Sequence, residues 1–366
     1  MKKLNALFIV LSLGMTISVS SLVKGSSLIT LSASKNTPTD TIGIGDSKKV
    51  DGNYIGGMHI STNNAIGYNI YNNVITKYTI KVASKDELLS VLKNAGKGSI
   101  IYIDDNAVID LTNSKDIHIP DDVTLASGRG KQKGRGALIF TTLNGTLPLL
   151  DPGNHVRITG LRIQGPDTSI GKNAYAVPVS RGISSSGGSY ITIDNCELYG
   201  WSHAAIFLFN GANHIYIHHN YFHNNQRTGL GYGVCLDKAS ALVKANVFNY
   251  GRHAVAGTGA TGTSYEASYN LVLPNFIGHA FDMHGGIDRK DNTNIAGDSI
   301  KINHNTIFLR DYPGVWIRGI PTHTAYIQNN DFINLDSNKA IKQTDKIEAQ
   351  FLNKNILMRN NRFSKK

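Results

Sequence analysis

The stretch IYIHHNYF at residues 215–222 recurs along the chain, and no other feature constrains the fold as tightly. It returns as ALVKANVF (241–248), YEASYNLV (265–272), IKINHNTI (300–307), AYIQNNDF (325–332) and ILMRNNRF (356–363). ITIDNCEL (191–198) and VRITGLRI (156–163) fit the same template, with Cys196 and Leu161 where the others carry asparagine. Asn220, Asn246, Asn270, Asn305, Asn330 and Asn361 therefore lie 26, 24, 35, 25 and 31 residues apart, the period of one solenoid coil. Apolar residues alternate within each unit and no helical pattern separates the units, which predicts strands and excludes βαβ repeats.

One asparagine per coil has a physical reason. It tolerates left-handed turn geometry, and its amide can bond the equivalent amide of the next coil. The phenylalanines two places later are expected to stack inside in the same way. Both are structural. Upstream, SKDELLSVLKNAGKG (84–98) predicts a capped amphipathic helix, with Ser84 as N-cap, Glu87 three residues on and Leu88, Leu89 and Leu92 on one face. The start, Met1-Lys2-Lys3 and an apolar run to about residue 22, has the pattern of a secretory signal. The expected organisation is a signal at 1–25, a loose Ser/Thr/Asn/Gly-rich lead-in at 26–76 and the solenoid at 77–366. That makes the mature protein secreted, with no stable membrane insertion. Cys196 and Cys235 fall in different repeats and are expected to be free. The net charge of +11 is spread thinly, which does not fit a nucleic-acid partner but suits a polyanion. A monomer is expected.

This pattern resembles the pectate-lyase-like superfamily of right-handed parallel β-helices over residues 80–363, including a short N-terminal capping helix. The resemblance implies an all-β solenoid. It does not select a chemistry, because lyases, hydrolases, epimerases and binding proteins share the fold. If coils stack, residues aligned in the repeat are spatial neighbours. Ala205, Val234, Val255, Phe281 and Val315 are then expected inside, as are Phe207, Leu236, Gly257, Met283 and Ile317 two places later. His203, Tyr232, His253 and His279 form one outward column. Asp237, Thr258, His284 and Arg318 form a second, and Cys235, Ala256, Asp282 and Trp316 lie between them. Arg252 sits in the turn before His253, and Glu266 is expected to face out beside an inward Tyr265.

Such a face suits a groove for an acidic, uronate-containing polysaccharide. β-Elimination needs a positive group for the C6 carboxylate, a base for the C5 proton and an acid for the leaving oxygen. Arg252 and Arg318 are candidates for the first role, and His253, His279, His284 and Tyr232 for the others. FDMH (281–284) looks like the aromatic-Asp-x-His motif of mannuronan C5-epimerases, with Met283 where that family has proline, and GRHA (251–254) is similar to an Arg-His pair there. That likeness implies roles for Asp282, His284, Arg252 and His253. His203, Asp237, Glu266, Trp316 and Arg318 are the expected substrate contacts. A hydrolase would instead need paired carboxylates, Asp237 with Asp282 or Glu266; a non-catalytic adhesin would grip glycans through Trp316 and the tyrosines. No cofactor is required, although Asp288, Asp291 and Asp298 of the long inserted loop are candidate calcium ligands. No histidine spacing matches a zinc site.

Overall fold

The asparagine column determines how one coil follows another. The computed structural model describes residues 49–57, 71–131, 134–171, 177–343 and 347–364. Each coil passes through three short strands, one in each of three parallel sheets, A, B and C, of 11, 10 and 9 strands. One coil, for example, contributes Ile215–His218 to sheet A, Tyr221–His223 to B and Tyr232–Asp237 to C. Only two residues turn the chain from A to B. The first has positive φ (His219 54°, Ala245 55°, Tyr269 57°, His304 56°), and the second is the asparagine. The left-handed residue is thus the one before asparagine, which frees the amide for the ladder.

That ladder is continuous. Asn220, Asn246, Asn270 and Asn305 each donate both backbone N–H and Nδ2 to Oδ1 of the next asparagine at 2.9–3.1 Å. Their amides also reach strand carbonyls on the preceding coil, as Asn246 does to Ile217 at 3.0 Å. All four are at most 1 % exposed, so any unmet amide here would cost about 1–3 kcal/mol. Phe222 stacks on Phe248 at 4.8 Å, and Phe332 on Phe363 at 5.3 Å. One apolar core runs from Val82 to Ile356.

Helix α1, Lys85–Asn94, closes the N-terminal end with the expected Ser84–Glu87 capping box, and Leu88 and Leu92 are buried. The described part of the lead-in is not loose. An antiparallel ribbon, Lys49–Val50 with Asn53–Tyr54, places Val50 and Ile55 against Val247, Leu271 and Phe308. Asp51 pairs with Lys244 at 2.7 Å, and Tyr71 donates to Asp194 at 2.8 Å. The signal lies outside the described residues. Both cysteines are free and buried. Among the described residues no helix is long and apolar enough to cross a membrane.

Sheet C departs from plain alternation, and this departure builds the site. At three places two consecutive N–H groups share one carbonyl: Gly231 and Tyr232 on His203, Arg252 and His253 on Gly231, and Ala254 and Val255 on Ala280. Such bulges re-aim side chains. Two successive residues then face the core, Ala254–Val255 and Ala280–Phe281 among them, and the residue before each pair faces out. The first of the two must be small. A Cβ on Gly233 would lie 2.7 Å from the Ala254 carbonyl, and one on Gly314 would lie 2.5 Å from Phe332 Cε1. The recurring His/Tyr-Ala/Gly-apolar triplet is the sequence signature of this bulge. It also corrects one coil of the alignment: Ile206 pairs with Val234 and Leu208 with Leu236, so Phe207 faces out with Cys235 instead of inward, whereas Ala205 is inside as expected, one place before the Val234 column.

Candidate active site

Asp282 is the hub of the outer face of sheet C. It sits between Ala256 and Trp316 on adjacent strands, is 0 % exposed, and receives a fork from Arg318, Nε at 3.0 Å and Nη2 at 2.8 Å. Three imidazoles converge on its Oδ2: His284 Nε2 at 2.9 Å, His279 Nε2 at 3.1 Å and His253 Nε2 at 3.6 Å. Arg318 also pairs with Asp288 at 3.2 Å, and its Nη2 lies 3.0 Å from His279 Nε2. Burial pushes the Asp282 carboxyl up, but the His279 and His284 imidazoles outweigh it and hold the group well below the usual carboxylate range.

The three histidines differ. His253 Nδ1 lies 2.6 Å from the His279 carbonyl, which only accepts, so the proton is on Nδ1 and Nε2 is a bare lone pair. Burial, reinforced by His279, holds His253 neutral, well below its ordinary pKa. Burial also lowers His279, against the pull of Asp282. The side chain of His284 is the most accessible of the three, at 23 %. A carboxylate 2.9 Å away cannot face a lone pair, so Nε2 carries the proton and Nδ1 is the free base, 3.9 Å from Asp288 Oδ2. His253 Nε2, His284 Nε2 and Trp316 Nε1 are buried without an aligned hydrogen-bond partner, and this unmet capacity gathers at one site.

Arg252 stands at the edge of the cluster. Its Nη1 bonds the Gly229 carbonyl at 3.2 Å and the Tyr232 hydroxyl at 3.3 Å, leaving Nε and Nη2 open. Burial raises the Tyr232 phenol above its ordinary value despite Arg252, so it carries its proton. Trp316 lies under the Arg318 guanidinium at 4.8 Å and meets the His279 ring at 4.9 Å.

The site thus assembles His253, His279, His284, Asp282, Arg252, Tyr232, Arg318 and Trp316. Four of the expected substrate contacts are engaged elsewhere. Asp237 is on sheet C but accepts from Thr258 at 2.7 Å. Glu266 lies on sheet A, 3.8 Å from Lys301, away from this groove. His203 sits toward the far end, where Arg181 Nε donates to its Nδ1 at 2.8 Å. Arg318 is spent on two carboxylates rather than held for substrate. Nothing in the sequence points to Arg181; Asp288 is expected there only as a calcium ligand, and Phe207 is expected inside. Only the bulge, visible as the repeated small residue, turns Phe207 outward.

Calcium does not fit the inserted loop. Asp288 faces Arg318, Asp291 accepts from Arg289 and Thr293, and Asp298 accepts from Gly262 and Thr322. Among the described residues the one metal-compatible group is His253, His279 and Asp282, with ligand atoms within 4.8 Å of one another. Its nitrogen-rich set, with the carboxylate forked by Arg318, is not the oxygen cage calcium takes.

The sequence profile described as "Right handed beta helix region" matches residues 149–332, just over half of the chain. The chain belongs to the right-handed β-helix family. No curated protein matches the sequence. Among solved structures, this β-helix is similar to an alginate lyase from Paenibacillus sp., with 15% identity over 77% of this chain and 94% of that one, TM-score 0.45. It is also similar to an endo-xylogalacturonan hydrolase from Aspergillus tubingensis, with 10% identity over 78% and 93%, TM-score 0.45. A third is PfbA, a surface adhesin of Streptococcus pneumoniae, with 13% identity over 76% and 86%, TM-score 0.39.

Proposed function

We propose that the protein is a secreted polysaccharide lyase that cleaves an acidic, uronate-containing polysaccharide by β-elimination. The observation that carries this reading is the buried Asp282 carboxylate, which holds His284 Nε2 at 2.9 Å and leaves Nδ1 as the base, on a face where Arg252 keeps half of its fork free. Arg252 takes the C6 carboxylate through Nε and Nη2 and so acidifies the C5 proton. His284 Nδ1 removes that proton. The imidazolium formed lies between Asp282 and Asp288, which stabilise it. Electrons pass to the C4–C5 bond as the C4–O bond breaks, and Tyr232, beside Arg252, protonates the leaving oxygen. Arg318 and His279 hold Asp282 in place, His253 packs beside them, and none of the three touches substrate.

A glycosidase reading lacks its second carboxylate here. Asp282 is sealed and forked, Asp237 is bonded to Thr258, and Glu266 is on another sheet. C5 epimerisation shares the first proton transfer, and the FDMH likeness favours it as the second reading. An acidic-glycan panel separates the outcomes. Ultraviolet absorbance from an unsaturated uronate end marks elimination. New reducing ends without that absorbance would overturn both readings, and solvent deuterium at C5 without cleavage would replace elimination by epimerisation.

A further inference from the structure

Arg181 lies on the same outer face, three strand steps from His253 through Ala204 and Tyr232. At the inter-strand spacing, that is about 14 Å along the groove. Its guanidinium is built into place. Nε donates to His203 Nδ1 at 2.8 Å, and the plane covers the Phe207 ring at 3.9 Å. His203 is no counter-charge, because burial, with Arg181 and Arg227 beside it, pushes its pKa down to about 3. Among the described residues no carboxylate pairs with Arg181, and neither Nη group has a hydrogen-bond partner or is sealed from solvent. A half-buried cation held in one orientation without an anion is costly unless a ligand supplies one. Phe207 is buried beneath the guanidinium, and the half-buried Phe209, 5.1 Å from it, adds an apolar surface for the C–H face of a sugar.

We infer that Arg181, positioned by His203 and Phe207, is a second anion subsite that takes the carboxylate of another uronate residue on the polysaccharide bound at Arg252. This rests on the uronate reading above and deepens it: the groove would measure chain length and anionic spacing, not only read one sugar. Nothing in the Asp282 cluster contacts Arg181, so the two can be separated by mutation.

The test is calorimetric titration of the full chain with alginate and polygalacturonate oligomers of increasing length. Wild type should gain affinity sharply once the oligomer spans the two arginines. Arg181→Gln should lose that gain, roughly tenfold or more for a charged bidentate contact, with short-oligomer affinity unchanged. Arg181→Lys, which keeps charge and stem, should lose part of it and serves if the glutamine variant melts early. An unchanged length dependence, or equal losses for short and long oligomers, would overturn the subsite while leaving the catalytic reading intact. Absence of binding by wild type to every oligomer would overturn both.

Discussion

Replacing Asp282 by asparagine tests the hub directly. The isosteric change removes the charge that holds Arg318 at 2.8 and 3.0 Å and that His284 approaches to 2.9 Å. It also puts an amide donor where one carboxylate oxygen accepted. Breaking one side of a buried pair costs about 3–5 kcal/mol. Arg318 keeps Asp288 at 3.2 Å and its side chain is 15 % exposed, which puts this case at the lower end, about 3 kcal/mol. For a chain of this size that lowers the melting temperature by roughly 4–5 °C. Asp282→Asn with Arg318→Met should recover much of the loss, because the only charge then left without its partner is Asp288, whose side chain is 34 % exposed. Thermal melts followed by circular dichroism give both values. A single-variant loss below about 1 kcal/mol, or a double variant as poor as the summed singles, would refute the hub.

Asn270→Ala strips the acceptor from both Asn246 donors, and unfolding in guanidinium should show a loss of about 3 kcal/mol without change in the site. Gly314→Ala should lose roughly 1–3 kcal/mol in the same assay, since its Cβ meets Phe332 at 2.5 Å. Acid should destabilise the fold early. The buried His253 and His279 stay neutral while the unfolded chain protonates, so stability falls by up to about 1.4 kcal/mol per pH unit per histidine as pH drops below about 6.5. Asp282, held low, adds to the loss only near and below its ordinary range of about 4. Melts from pH 8 to 4 check this, and the slope should shrink in His253→Gln.

The coils were legible because asparagine and phenylalanine recur at fixed places and serve one purpose in each coil. The site was legible as a cluster because titratable residues stood in aligned repeats. The aligned repeats put His253 in the outward column, but alternation could not explain it: a period of two places the residue two before Val255 inside, and it is the shared carbonyl that turns His253 out. The same feature shifted Phe207 from core to groove. Roles within the cluster were also hidden, because Arg252 and Arg318 read alike in sequence. One keeps an open fork, and the other is consumed by Asp282 and Asp288. Glu266 misled because aligned repeats do not show which of three sheets a residue leaves from.

The central claim is that His284, set by Asp282, takes the C5 proton. Its most direct measurement is ultraviolet detection of unsaturated ends from a uronate polysaccharide, with wild type and His284→Ala compared at equal folded concentration. Wild type should give a steady rise and the variant a rate roughly 100-fold or more lower, with the melting temperature kept within a few degrees. Turnover by His284→Ala at the wild-type rate would contradict it.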